Sequence, residues 1–432
     1  MVREPAKHLV VNDPSQGGRQ ATLRALAIAP GVMFVGVAGG IAFPILPVAG
    51  LRAGLSLPFI GFILAANRLA RVFVSPAVGA LSDRVGGRSL LLVGMVTQIA
   101  VMALYTLGVV IDRPGSCFLA ARLLHGPASA CVFVAAQVLA LHAGGARHGG
   151  SAAGVVRAAM TAGMPLGLVV GGLLAERFGD RVTFETAGIA VVLATVLSGL
   201  LVPDLRAEHR SSGSLQGLVR VLSNRRVLAM GVLNFATFFS AQGTVLTTMV
   251  LLVRARGLSI GSMGEQSTAS LSMGALILLS GIASVLAGRL ADRLRASARF
   301  GVAGLAVLVV GLLCLMVAHT PAMLLAAVAL VGLGTGAMNP CLVALLGRFV
   351  THEVRGSAVG ALQLFGDIGG TLGPVVGSSL FAYSTATPFL VSAVAAACAF
   401  PVGLYLVRAE RATHLPTEAS GSHEAPLPDA EL

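Results

Sequence analysis

The chain has no tryptophan, three tyrosines and a single lysine, Lys7, among 432 residues. Such a shortage of amphipathic rings argues against a stacking platform for sugars. Charge is scarce as well, at 11% of residues, against ~25% in ordinary soluble domains. The five cysteines, Cys117, Cys131, Cys314, Cys341 and Cys398, form no CxxC pair and sit in apolar runs. They read as inert buried thiols, and no metal site or cofactor is expected. A GxxxxGK[ST] phosphate loop is also missing, which argues against an ATP-driven pump. No enzymatic chemistry is expected.

What the sequence has in abundance is hydrophobic length: 56% of residues are apolar and the mean hydropathy is +0.88. One water-solvated core cannot hide so much apolar surface, so lipid is the expected solvent. Twelve spans are predicted, near 24–48, 57–81, 89–111, 116–142, 152–175, 182–202, 227–252, 266–289, 298–318, 321–346, 356–381 and 385–407. Each matches the ~20 residues a helix needs to cross a bilayer. Residues 1–22 are expected as a retained N-terminal segment, because the run that follows is too long for a signal-peptide core. Residues 23–203 and 227–408 would form two six-helix bundles joined by a linker at 204–226. The tail at 409–432, rich in Pro, Glu and Ser, is expected to be disordered.

The net charge of +12 invites a nucleic-acid reading, but the basic residues lie between apolar runs rather than on an aromatic-laced surface. With the N-terminus placed in the cytoplasm, 21 basic residues fall in cytoplasmic segments and 6 outside. That asymmetry places both termini inside. Heavy Arg, Ala and Gly usage suggests a bacterial inner or plasma membrane.

The two halves repeat. GALSDR at 79–84 returns as GRLADR at 288–293, an offset of 209. GSAAG at 150–154, GLVVG at 167–171 and LAARLLHG at 119–126 return as GSAVG, GPVVG and LAAVALVG at an offset of 206. Paired bundles with a site between them at the midplane are the architecture of rocker-type transporters. The loop residues Gly79, Asp83, Arg84, Gly86 and Arg88, echoed at Gly288, Asp292 and Arg293, resemble the signature between helices 2 and 3 of the major facilitator superfamily. The resemblance covers about residues 20–408. It implies an all-α integral membrane fold of twelve transmembrane helices in two pseudo-symmetric bundles, and a loop that latches the halves together. A topology anchor in a solvated turn is the alternative reading of that loop.

FPILP at 43–47 and the glycines Gly163, Gly167 and Gly171 partly resemble the twelve-helix drug:proton antiporter branch of that family. Leu168 stands where that branch has proline, although the repeat copy keeps it, at Gly373-Pro374.

Ionisable groups buried in the spans carry the chemistry. Arg68 and Arg71 share a helix face and lie ~22 and ~18 Å from Asp83 along a helix, near the middle of a ~30 Å core. A charge there costs at least ~2.5–3.5 kcal/mol and must face protein or water. Their repeat partners are Ile277 and Ser280, so the scaffold itself does not demand arginine. Asp367 lies at a similar depth in span 11, and its repeat partner is Thr161. A contact between Asp367 and Arg71 or Arg68 that changes between inward- and outward-open states would couple protons to transport. A static ion pair is the alternative. Arg122 matches the arginine of the family's helix 4 motif, which the resemblance links to proton handling. His125 shares its face and reads either as part of that role or as polar packing.

Asn67, Asn234, Gln242, Asn339 and Gln363, with Phe43, Phe235, Phe238 and Phe365, are candidates to line a cavity for an amphiphilic molecule, or to pack helices. The expected function is proton-coupled export of a small organic molecule, anionic or neutral, by a monomer. Two alternatives are kept: uptake or exchange of an organic anion bound by Arg68 and Arg71, and a transporter-shaped sensor or scaffold.

Overall fold

Long apolar runs fold as helices because, in lipid, every backbone N–H and C=O must find its partner within its own segment. The computed structural model describes residues 14–203, 223–294, 296–351 and 355–412, and these are helical apart from short turns. Among the described residues, eleven helical stretches are long and apolar enough to cross a membrane.

In the first half, α1 (Pro14–Ala42) and α2 (Ile45–Arg52) form one crossing, interrupted at Phe43–Pro44, where proline has no N–H to continue the ladder. The chain turns at Gly54 (φ +74°) into α3 (Leu57–Val85). It turns again at Gly86 (φ +84°) into α4 (Gly87–Val110). Helical hydrogen bonding then continues for 88 residues, as α5 (Pro114–Leu201). A straight rod of that length would measure ~130 Å, so the run doubles back. Gly108 of α4 meets Cys117 and Gly87 meets Leu139, so the first part of α5 is antiparallel to α4. The middle part sets Gly163, Gly167 and Gly171 against Met33, Val37 and Ile41 in the same order, parallel to α1. The last part returns Ser198 to Gly31. One reversal falls at Gly179 (φ +82°), and the other between Ala143 and Ala152. The apolar stretch Ala152–Leu201, 50 residues long, therefore holds two crossings, giving twelve among the described residues.

In the second half, α6 (Arg225–Thr237), a π-helical turn (Phe238–Val245) and α7 (Leu246–Ala255) make one crossing. It is followed by α8 (Glu265–Leu294), α9 (Ser297–Met316), α10 (Pro321–Phe349) and α11 (Arg355–Phe381). The last crossing is α12 (Thr387–Cys398) with α13 (Phe400–Ala412). The GLGTG stretch lies inside α10. There Gly332 and Gly336 let the backbone of α8 approach at Leu276 and Ser280, the small-residue packing that membrane helices use in place of a hydrophobic driving force.

Helix ends depart from the expected segment edges. Helix α1 already begins at Pro14, inside the expected N-terminal segment. Helix α6 begins at Arg225 because the Asn224 side chain caps it, accepting from the Arg226 N–H. Helix α13 continues past 408 to Ala412. The rest of the expected linker, 204–222, and of the expected tail, 413–432, lies outside the described residues.

Candidate functional site

Midway along their lengths, α3 faces α11. The arginine pair on one and the carboxylate on the other, which the repeat does not share, meet in the fold: Arg71 donates from Nη2 to Asp367 Oδ1. Arg68, one turn away on the same face, donates from Nη2 to Gln242 Oε1 at 2.8 Å. Its guanidinium lies 5.9 Å from the Phe238 ring centre, close enough for cation–π attraction. Both Gln242 and Phe238 sit in the π-helical turn, a widened turn of the kind that collects at functional positions. Room for Arg68 comes from Gly370 of α11, where a Cβ would collide with the guanidinium. Two charged side chains of the first half are thus held by the second.

Beside them, a cavity of about 260 Å³ is lined by Asn67, Arg68, Arg71, Gln98, Tyr105 and Arg122 among others. His125, Phe43 and Gln242 also reach it. Arg122 is 5% exposed and lies 5.6 Å from the Phe43 ring centre. Asp367, Asn234, Asn339 and Gln363, all assigned to the site from sequence, do not line this cavity. Asn234 is buried and uses its amide to donate to Leu362 O at 2.7 Å, tying α6 to α11 within the second half. Asn339 and Gln363 are exposed. Of the phenylalanines, Phe43 and Phe238 face guanidinium groups, whereas Phe235 stacks on Phe239 at 5.9 Å and Phe365 packs on Gly231.

The charged turn is described in part. Arg88 donates to Gly199 O at 2.6 Å, fastening α4 to the end of α5. Arg84 and Arg293 are exposed, Gly288 faces Pro340, and the surroundings of Gly79, Asp83 and Asp292 lie outside the described residues. Gly87 packs on Leu139; a Cβ there would stand 2.9 Å from that side chain.

A second junction between the halves lies at the Gly54 end. Glu176 of α5 accepts the Gly264 N–H at 2.8 Å and the Ser267 N–H at 3.1 Å, at the start of α8. A carboxylate at a helix N-terminus satisfies orphan donors and complements the helix dipole. Gln266 donates to Pro44 O at 2.9 Å. Gly61 meets Pro374 and Ser378, and Gly172 meets Ser270. This seal was missed from sequence. Its one available signal was a lone Glu near the end of span 5.

The packing glycines carry the closest contacts. A Cβ at Gly163, Gly167 or Gly171 would land on the carbonyl oxygens of Met33, Val37 and Ile41, and one at Gly373 on the backbone of Gly243.

A family model described as "Major Facilitator Superfamily" matches residues 28–277 and 262–430. The chain belongs to the major facilitator superfamily. It is a multi-pass membrane protein and a secondary transporter, not an enzyme. A "Multi-drug resistance efflux pump PmrA homolog" of Lactococcus lactis subsp. lactis is 27% identical over 374 residues, covering 82% of this chain and 87% of the relative. "Multidrug resistance protein MdtG" of Dickeya zeae is 26% identical over 375 residues, covering 84% and 89%. Crystal structures of the nucleoside transporter NupG share the fold at 12% identity. One has a TM-score of 0.73 over 91% of this chain and 100% of that one, and another 0.71 over 90% and 98%.

Proposed function

We propose that the protein exports a small organic molecule by alternating access, coupled to protons through Arg71 and Asp367. The observation that carries this reading is that ion pair, which bridges the two halves midway along α3 and α11. Burial makes an unpaired charge expensive, so protonating Asp367 removes the partner that holds Arg71 and frees α3 from α11. A proton and a change of state are thereby linked through one contact. The efflux names of the relatives support the direction of transport.

In this reading residues 23–203 and 227–408 are the two rocking bundles, and 204–226 links them. Both termini lie in the cytoplasm, as the arginine asymmetry suggests. The Gly54 end then faces outward, and the Glu176 and Gln266 contacts form the closed outer side. A single chain holds both halves of the pathway, so a monomer suffices.

Proteoliposomes with an internal pH dye test the coupling. Under an imposed proton gradient, pools of organic anions, neutral metabolites and cationic drugs are added in turn. Wild type moves protons with one pool. Asp367→Asn moves that substrate downhill without protons. Wild-type proton flux and pH dependence in Asp367→Asn would refute the role given to this pair.

A further inference from the structure

Arg71 is engaged by Asp367 and Arg68 by Gln242. Arg122 differs from both. It is 5% exposed, and its Nε and Nη2 are buried with no hydrogen-bond partner among the described residues. Three residues on, His125 buries Nδ1 in the same condition, and Arg68 does so with Nη1. All three side chains line the one cavity. Three arginines line this cavity and, among the described residues, no carboxylate does; the nearby Asp367 is already held by Arg71. Buried donors are ordinarily satisfied, and buried charges are ordinarily paired. The Phe43 ring, 5.6 Å from the Arg122 Cζ, accepts cation–π attraction but none of the guanidinium's in-plane hydrogen bonds.

We propose that this cavity binds a small organic anion, with its oxyanion head on Arg122 and His125 and its apolar body against Phe43, Met102 and Met164. A guanidinium offers a planar fork of donors that matches an oxyanion. His125 adds a donor in the tautomer that carries its proton on Nδ1. The three apolar side chains line the same space. Its volume, about 260 Å³, falls just under the ~300–1,000 Å³ of ordinary ligand pockets, so the ligand is small. The proposal rests on the transporter reading and names its substrate class. It moves the anion contact expected at Arg68 and Arg71 to Arg122, because those two guanidiniums are already held by side chains of the second half.

The test is equilibrium binding to the full chain in lipid nanodiscs, with no gradient, by titration calorimetry. Four probes share a ring and differ in the head group: benzoate, benzenesulfonate, benzamide and benzamidine. One or both anions bind, and the neutral and cationic probes do not. Whichever anion binds more tightly identifies the head group as carboxylate or sulfonate. Arg122→Gln weakens the preferred anion at least tenfold, Arg122→Lys weakens it less, and Asn339→Ala, outside the cavity, leaves it unchanged. If Arg122→Gln does not elute as a monodisperse species, His125→Gln takes its place, with at least a threefold loss expected. Binding of benzamide or benzamidine as tight as that of the anions would overturn the proposal. So would absence of anion binding, or wild-type affinity in the variant used. Because no gradient is involved, a protein that moves protons with substrate yet binds neither anion keeps the transport reading and loses this one.

Discussion

The two halves share a scaffold and differ in charge. In the first half, Arg68, Arg71, Arg122 and His125 surround the cavity. At the repeat positions of Arg68 and Arg71, the second half has Ile277 and Ser280, and Ser280 serves to pack α8 against Gly336. What the second half contributes is receptive: Asp367, Gln242, the Phe238 ring and the space left by Gly370. The repeat preserves what the backbone needs, which is glycine where helices touch. It has diverged where a substrate and a proton would act. Residues that differ between copies of one scaffold are therefore the informative ones.

The largest effect should come from breaking what the copies share. Gly167 and Gly373 are repeat partners, and each lets another backbone come too close for a Cβ. Gly167→Val and Gly373→Val should both abolish folded protein, at a cost above the ~1–3 kcal/mol of ordinary overpacking. Fluorescence-detected size exclusion reads this directly. A monodisperse peak from either variant would show that the two contacts are not equivalent parts of one scaffold.

Next in size is the contact that joins the unlike parts. Arg71→Ala leaves Asp367 buried without its partner, and losing one member of such a pair costs ~3–5 kcal/mol. Arg71→Ala/Asp367→Ala removes both charges and should recover much of that loss. Thermal unfolding in one detergent compares the three proteins. If the double variant melts no higher than Arg71→Ala, the pair is not the source of the loss.

These two features were not equally legible in the sequence. The glycine stripe, the spans and the repeat follow from composition and period, which the backbone obeys. Arg71 and Asp367 came to one level by counting residues along two helices, and the structure brings them into contact; what the pair does in transport is the proposal above. Asn234, Asn339 and Gln363 look alike as polar residues in apolar spans. Their fates depend on the nearest backbone carbonyl and on facing, as when Asn234 is taken by Leu362 O, and no spacing rule encodes that. The π-helical turn is similarly hidden, since one widened turn leaves the apolar pattern intact. Arg122 could be recognised as buried but not as unpaired.

The junction at the Gly54 end gives a smaller effect and tests the closed side. Glu176→Gln keeps a side-chain acceptor for α8 but loses the charge; because Glu176 is exposed, the loss falls below the ~1.5–3 kcal/mol of hydrogen bonds to charged groups. The seal should loosen without unfolding the protein. Ser270, fully buried against Gly172, reports this as Ser270→Cys. Its labelling by an impermeant maleimide should rise severalfold when Glu176→Gln is added. An unchanged rate would mean that the Gln266–Pro44 and Gly61–Pro374 contacts hold the end by themselves.

The smallest effect belongs to two arginines at similar places after the first crossing of each half. Arg256 follows α7 and donates to the carbonyls of Leu315, Met316 and Ala318, closing the end of α9. Arg52 ends α2 and pairs with Asp180 at 2.8 Å, with its side chain 56% exposed. A guanidinium that satisfies several orphan carbonyls performs a capping role that water cannot fill once the site is part-buried. An exposed ion pair competes with water and salt and contributes ~0.2–1 kcal/mol. Arg52→Ala should therefore lower the melting temperature only slightly, and added salt should shrink the difference. Arg256→Ala should lower it more, with little dependence on salt. A reversed order would place the structural weight on the exposed pair.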